Sequence, residues 1–291
     1  MADQSVLKAR LMKEQNLRSC FRFWGGCRMN KKFDILIVDD EEIVIESIKK
    51  ICLYKNYSIS TATNSFDAIK ILEENDIKLV VTDIMMPEMN GFELLIEIIK
   101  KNISVPVILT SGNSSLEMIS KAFMLGAIDF LPKPFNFDEL ESFISRGMMI
   151  SNLFIRKNEN REAGSNLYYV TCPSNYKKFG RGNWVKFEEG FVKVGVSDLL
   201  LKSINSVNQI ILKDVNNQLS IGESFLKIID SNEMIHEIIS PISGNIIEVN
   251  QNIVESISLL EKDPYFEGWL YKVTPSDIFY EEKYLISCSS D

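Results

Sequence analysis

The chain has 291 residues, 45% hydrophobic and 25% charged, a balance that suits soluble globular protein with room for two domains, and no apolar run reaches the length of a membrane span. A net charge of −8 disfavours non-specific binding to nucleic acid, which needs cationic side chains to meet phosphates. Five cysteines, Cys20, Cys27, Cys52, Cys172 and Cys288, are odd in number and form no CxxC pair, so neither a zinc site nor a disulfide framework is suggested and a reducing, cytoplasmic setting is expected.

Residues 1–32 depart from the average, with eight Lys/Arg against two acidic residues and Phe21, Phe23 and Trp24 among them. Such a segment could lie on a membrane surface. A disordered extension ahead of the first strand is the simpler expectation, and no membrane partner is expected.

Strand and helix signals then alternate. Phe33-Asp-Ile-Leu-Ile-Val38, Lys78-Leu-Val-Val-Thr82, Val105-Pro-Val-Ile-Leu109 and Ala127-Ile-Asp-Phe-Leu131 are short apolar runs of the kind buried in parallel sheets. Residues 57–61 supply a further strand. Between them, residues 42–54, with apolar Ile43, Ile48, Ile51 and Cys52, are expected to be helical, as are 65–74, 91–99 and 115–125. Asn136 with Glu139 forms a capping-box pattern, and Leu140, Phe143, Ile144 and Met148 share one face of a fifth helix that runs on through Leu153 and Phe154. Residues 158–165 are polar enough for a linker.

Parallel strands share a rim at their carboxyl ends, and ligands bind in the crevice beyond it. Asp39, Asp40, Asp83, Thr110 and Lys133 each follow one of these strands. Taken singly, an Asp after a strand is a helix N-cap. Capping does not explain a Thr and a Lys in the same setting. Three carboxylates together call for a hard cation such as Mg²⁺. With the metal in place, Asp83 can act as a nucleophile toward a phosphoryl group, Thr110 can donate a hydrogen bond to it, and Lys133 can pair with its charge.

Four stretches carry a family resemblance: Ile37-Val-Asp-Asp-Glu41, Val81-Thr-Asp-Ile-Met-Met-Pro-Glu-Met-Asn-Gly91, Ile108-Leu-Thr-Ser-Gly112 and Gly126-Ala-Ile-Asp-Phe-Leu-Pro-Lys-Pro-Phe135. In this order they resemble the receiver domain of response regulators. The resemblance implies a CheY-like, flavodoxin-like α/β domain, a doubly wound five-stranded parallel sheet, over residues 33–150. It also implies that Asp83 is the phosphoacceptor, and that Asp39, Asp40, Asp83 and the backbone carbonyl of Met85 hold Mg²⁺. Thr110 becomes the switch hydroxyl, Lys133 the phosphate-pairing lysine and Phe130 the switch aromatic, beside a cis Lys133-Pro134 bond. A sensor histidine kinase is the implied donor, and a homodimer through the receiver is allowed. The domain would be no enzyme but a phosphoacceptor that assists its own phosphorylation.

Beyond a helix extension and linker at 151–165, residues 166–291 change character. Trp184-Val-Lys-Phe187 and Phe191-Val-Lys-Val-Gly-Val196 alternate in the manner of strands, and eleven Lys/Arg stand against seventeen Asp/Glu with no basic recognition helix, so DNA is not the expected partner. Asn183-Trp-Val-Lys186, Val194-Gly-Val-Ser-Asp198, Ser240-Pro-Ile-Ser-Gly-Asn245 and Asp263-Pro-Tyr-Phe-Glu-Gly-Trp-Leu270 resemble the glycine-cleavage H protein, a mainly β barrel-sandwich or hammerhead lipoyl carrier. By that resemblance the lipoylated lysine falls at Glu233, at a hairpin tip in Asp230-Ser-Asn-Glu-Met234. A carboxylate cannot accept the lipoyl group, and Lys227, six positions earlier, reads as strand. No lipoate is therefore expected, and Glu233 is expected to be an ordinary solvated residue. His236, the chain's one histidine, reads as a strand residue making local contacts.

The expectation is a phosphorylation-switched regulator whose second domain binds a protein partner. A regulated lipoyl carrier of one-carbon metabolism and a phosphate sink with no change in output are the alternatives.

Overall fold

Successive side chains of a strand point to opposite faces of its sheet. In the first strand this alternation sends Ile35 and Ile37 into one hydrophobic cluster and Leu36 and Val38 into another. The computed structural model, which describes residues 31–159 and 169–288, extends this two-sided burial into a doubly wound α/β domain. The strands are β1 (Lys32–Val38), β2 (Ile59–Ala62), β3 (Asp76–Asp83), β4 (Val107–Ser111) and β5 (Asp129–Pro132), all parallel in the order β2-β1-β3-β4-β5. They are joined by α1 (Glu42–Tyr54), α2 (Ser65–Glu74), α3 (Gly91–Lys100) and α4 (Leu116–Met124), and followed by α5 (Phe137–Glu159).

Ile48 of α1 and Leu140, Ile144 and Met148 of α5 cover one face of this sheet, while Ala68, Leu94 and Ala122 of α2, α3 and α4 cover the other. The fourth strand begins at Val107 rather than Val105, beyond Pro106, which has no N–H to give a ladder. Both hydrogen bonds of the capping box expected at Asn136 and Glu139 are made, at 2.9 Å. Ile43 corrects the expected face of the first helix: it is 76% exposed, and Ile45 is buried in its stead. The residues expected as linker from 158 start inside α5, which reaches Glu159. Most of the basic segment over 1–32, with Cys20 and Cys27, lies outside the described residues, as does the rest of the linker.

The second region is antiparallel. Strands β6 (Lys177–Lys178), β7 (Asn183–Phe187), β8 (Val192–Val196), β10 (Gln218–Leu219), β13 (Gly244–Val249), β14 (Tyr271–Pro275) and β15 (Ile286–Ser287) make one sheet in the order β10-β13-β14-β8-β7-β6-β15. A second sheet pairs β12 (Ile235–Ile239), β11 (Ser224–Asp230) and β9 (Val207–Leu212). Helix α6 (Asp198–Ser203) follows β8. Trp184 is fully buried, and its indole N–H donates to the carbonyls of Val196 and Pro264 at 2.9 and 3.1 Å, so its polar end is satisfied inside the core. This arrangement fits the expected barrel-sandwich. No helix among the described residues is long and apolar enough to cross a membrane.

The two regions share a core. The cluster on the α4 side of the parallel sheet continues through Phe123 and Phe130 into Phe179, Leu200 and Ile238. The rings of Phe123 and Phe179 meet edge to face with centroids 5.4 Å apart. Helix α5 is consequently buried on two sides: Leu140 and Ile144 lie against the sheet, while Ser142 and Arg146 face β12.

Candidate functional site

The parallel registers Val38↔Thr82 and Asp83↔Thr110 place the ends of β1, β3 and β4 side by side. Asp39 and Asp83 therefore lie at one rim, buried to 1% and 4% exposure. The peptide N–H of Lys133 donates to Ser111 at 2.8 Å, which brings the chain after β5 to the same rim, and the Lys133–Pro134 bond is cis. The Lys133 ammonium bridges the two carboxylates, 2.7 Å from Asp39 Oδ2 and 2.6 Å from Asp83 Oδ1.

The second Asp39 oxygen accepts from the Glu41 N–H at 3.0 Å, and Asp83 Oδ2 accepts from the Met85 N–H. Burial pushes the Asp39 carboxyl above its usual range, and the charge on Asp83 adds to the rise, although hydrogen bonds from Lys133 and Glu41 oppose it. For Lys133 burial works toward a lower value, but hydrogen bonds to Asp39 and Asp83 prevail and the ammonium is held above its usual range. The Thr110 hydroxyl, also buried, donates to the Thr82 carbonyl over 3.5 Å. Phe130 is buried where the two regions join.

One expectation needs correcting. Three carboxylates were to converge, but only two do so in this arrangement: Asp40 is exposed at the rim and has no hydrogen bond or ion pair with the others. Among the described residues no group of three or more His, Cys, Asp or Glu is gathered closely enough to hold a metal ion. The reason is that Lys133 draws Asp39 and Asp83 together, whereas Asp40 sits one position further along the turn. The donor chemistry still suits Mg²⁺. The candidate ligands are all oxygen, and one ammonium facing two buried carboxylates leaves an excess of negative charge.

Gly91 is the position that lets the loop after Asp83 close. A Cβ there would stand 2.2 Å from the Asp83 carbonyl oxygen and 2.9 Å from Ile84 Cα, so any side chain must displace backbone at the site. We expect Gly91→Ala to destabilise the protein by about 2 kcal/mol, the scale of overpacking, and to slow phosphorylation of Asp83. Thermal unfolding and phosphate incorporation, measured on the same sample, check both parts.

A second polar cluster spans the seam between the regions. Arg146 of α5 donates to Asp129 Oδ2 at 2.8 Å and to the Ser142 hydroxyl at 2.7 Å. Ser142 Oγ lies 2.8 Å from His236 Nδ1, and Arg146 Nη1 lies 3.3 Å from the same nitrogen. Arginine only donates, so the network assigns Nδ1 as acceptor and places the ring proton on Nε2, which faces Asp230 Oδ2 at 3.4 Å. Asp230 is fixed by Asn205 and by the N–H groups of Asn232 and Met234. The expected strand position of His236 is correct, but its contacts are not only local: Ser142 is 94 positions away in sequence.

This cluster left one trace in the sequence. Ser142, Arg146 and Ile150 form a second stripe on α5, offset from the stripe that covers the sheet, and a helix buried on two sides signals a second packing partner. Glu233 lies at the tip between β11 and β12, exposed and with φ +64°. Lys227 is in β11, ion-paired with Glu237 at 2.6 Å.

Comparison with known proteins matches residues 35–145 to the family model of the response regulator receiver domain and residues 174–290 to that of the glycine cleavage H-protein. A putative NtrX-like response regulator of Rickettsia bellii is 38% identical over 130 residues, covering 44% of this chain and 26% of that protein. The response regulator SaeR of Staphylococcus aureus is 34% identical over 122 residues, covering 42% and 50%. The chain thus spans between about a quarter and a half of the length of these curated relatives. Among solved structures, a glycine cleavage system H protein from Mycobacterium marinum is 27% identical, covering 40% of this chain and 94% of that one, with a TM-score of 0.36.

Proposed function

Because the chain joins a domain of the response regulator receiver family to one of the glycine cleavage H-protein family, we propose that it is a two-component response regulator that takes a phosphoryl group on Asp83 and answers through a protein-binding C-terminal domain. The observation that carries this reading is the Lys133 bridge between Asp39 and Asp83, with Thr110 beside Asp83 on the neighbouring strand.

The donor is a sensor histidine kinase. A carboxylate oxygen of Asp83 attacks phosphorus, the new O–P bond makes an acyl phosphate, and the P–N bond to the donor imidazole breaks with its electron pair, and a proton, going to the imidazole. Lys133 keeps its place and pairs with the phosphoryl oxygens as a point charge. Thr110 leaves its long bond to Thr82 at little cost and donates to the phosphoryl group instead. Mg²⁺, for which Asp39, Asp83 and the Met85 carbonyl are the candidate oxygen ligands, would neutralise charge on the transferred oxygens. The domain is the phosphoacceptor in this scheme, not an enzyme with turnover.

The C-terminal domain acts by binding. Its hairpin tip presents Glu233, which has no amine to acylate, and Lys227 stands in mid-strand, ion-paired with Glu237, and not at the tip. Incubation with acetyl phosphate and Mg²⁺ should add one phosphate by intact mass, and Asp83→Asn should remain unlabelled. A wild-type protein that takes no phosphate, or an Asp83→Asn variant that does, would falsify the scheme.

A further inference from the structure

The loop after Asp83, which carries the Met85 carbonyl, is held in an unfavourable bend. Its turn closes over three residues: the Met89 N–H donates to the Pro87 carbonyl at 2.7 Å, and Glu88 between them has φ +64°. A glutamate in that conformation is strained and stays there only when its surroundings leave no alternative. Packing supplies little of the restraint, because Met85, Pro87 and Glu88 are exposed and Met86 alone in this stretch is buried.

Hydrogen bonds close the loop at its two ends. The Ile84 N–H donates to the Thr110 carbonyl at 2.9 Å, and the Gly91 N–H returns to the Ile84 carbonyl at 3.0 Å. The bend itself is tied at one point. Ser65, the first residue of α2, is 1% exposed, and its hydroxyl donates to the Met89 carbonyl at 2.8 Å across 24 positions of sequence. Among the described residues this is the single hydrogen bond that reaches residues 86–89 from outside the loop. The helix has no need of that hydroxyl for its own end: Asn64 is the N-cap, and its side chain accepts from the Asp67 N–H at 2.9 Å.

We propose that Ser65 is a positioning residue for the metal site, its hydroxyl fixing the Met89 end of the strained bend and thereby the place of the Met85 carbonyl. Ser65 stands outside the four stretches that carry the receiver resemblance, and the fold alone brings it to the loop. The proposal rests on the reading of Asp83 and the Met85 carbonyl as Mg²⁺ ligands, and it adds a group that touches neither metal nor phosphate.

The test is Mg²⁺ binding, measured by titration calorimetry on the full chain as wild type, Ser65→Ala and Asn64→Ala. Ser65→Ala should bind Mg²⁺ about 10-fold more weakly, the lower end of what losing a partner one layer behind a metal ligand costs. Asn64→Ala removes the cap one position away, so it should unfold at a lower temperature than wild type yet bind Mg²⁺ within about twofold of it. Amide exchange in the metal-free protein gives a second reading: peptides over residues 84–89 should exchange about 10-fold faster in Ser65→Ala and unchanged in Asn64→Ala. If either quantity is unaltered in Ser65→Ala, or alters equally in Asn64→Ala, the proposal is overturned, since the hydroxyl would then serve packing alone. A wild-type chain that takes up no Mg²⁺ overturns it as well. A chain that shows both differences yet leaves Asp83 unlabelled sinks the phosphotransfer reading and leaves the role of Ser65 standing.

Discussion

Asp39→Asn is expected to raise the thermal unfolding midpoint and, in the same protein, to slow Mg²⁺-dependent phosphorylation of Asp83 by about 100-fold or more. If Asp39 holds Mg²⁺ as proposed, its loss should exceed the 10- to 100-fold effects typical of changes one layer further out. The stability gain has an electrostatic origin. Asp39 and Asp83 are both buried and share one ammonium, so the second negative charge is held at a loss. Burial of the carboxylate is the main cause of the raised proton affinity of Asp39, and the charge on Asp83 adds a smaller part. An acid whose affinity rises on folding penalises the fold at neutral pH, and the penalty is relieved as pH falls toward the folded-state value. The neutral amide removes it at every pH. We expect a gain of about 1 kcal/mol at pH 7, the scale of one like-charge contact in a partly polar setting, shrinking as the solution is acidified. If the Asp39→Asn variant instead unfolds at a lower temperature, the Lys133–Asp39 pair outweighs the repulsion and the site is not under electrostatic tension.

Such tension is legible in sequence because it is built from strand ends. Asp39, Asp83, Thr110 and Lys133 each follow a short apolar run, and parallel topology gathers them irrespective of their separation along the chain. The direction of individual side chains is less legible. Asp40 and Ile43 both lie in the turn and first helix after β1, where one residue of rotation decides whether a side chain faces the rim, the core or solvent. The seam between the domains was least legible. Ser142 and Arg146 match His236 in three dimensions only, and no local pattern near His236 encodes a partner on a helix some ninety positions earlier. A polar residue on a helix reads as solvated until something is known to cover it. The second stripe on α5 was the available sign, and it differs from an ordinary exposed face only in carrying Ile150 in line with Arg146.

The same seam should make stability depend on pH through one residue. His236 is buried, and burial, reinforced by the positive charge of Arg146, lowers its pKa from 6.5 to about 4, against the opposing pull of Asp230. Asp129 faces Arg146 from β5, while Arg181 and Glu237 line a void in this seam. When the domains part or unfold, the imidazole regains its ordinary affinity. A base whose affinity falls in the native state contributes stability that is fully present above pH 6.5 and is lost as pH drops toward 4. Between pH 7 and pH 5 this amounts to about 2 kcal/mol for the wild-type chain. The measurement is the free energy of urea unfolding at a series of pH values, compared with His236→Gln. Asp39 titrates in both proteins. Asp230, whose carboxyl is held low against the pull of burial by Asn205, Met234 and Asn232 as well as by His236, acts mainly below this pH range. Between pH 7 and pH 5 the slope of the difference therefore reports chiefly the histidine, while the glutamine side chain shifts only the baseline. In Arg146→Met the imidazole loses its cationic neighbour, its affinity moves back toward 6.5, and the slope should flatten part of the way. Parallel curves for the wild-type protein and the His236→Gln variant would mean that His236 takes up its proton equally well in the closed seam, and the buried network from Arg146 to Asp230 would have to be redrawn.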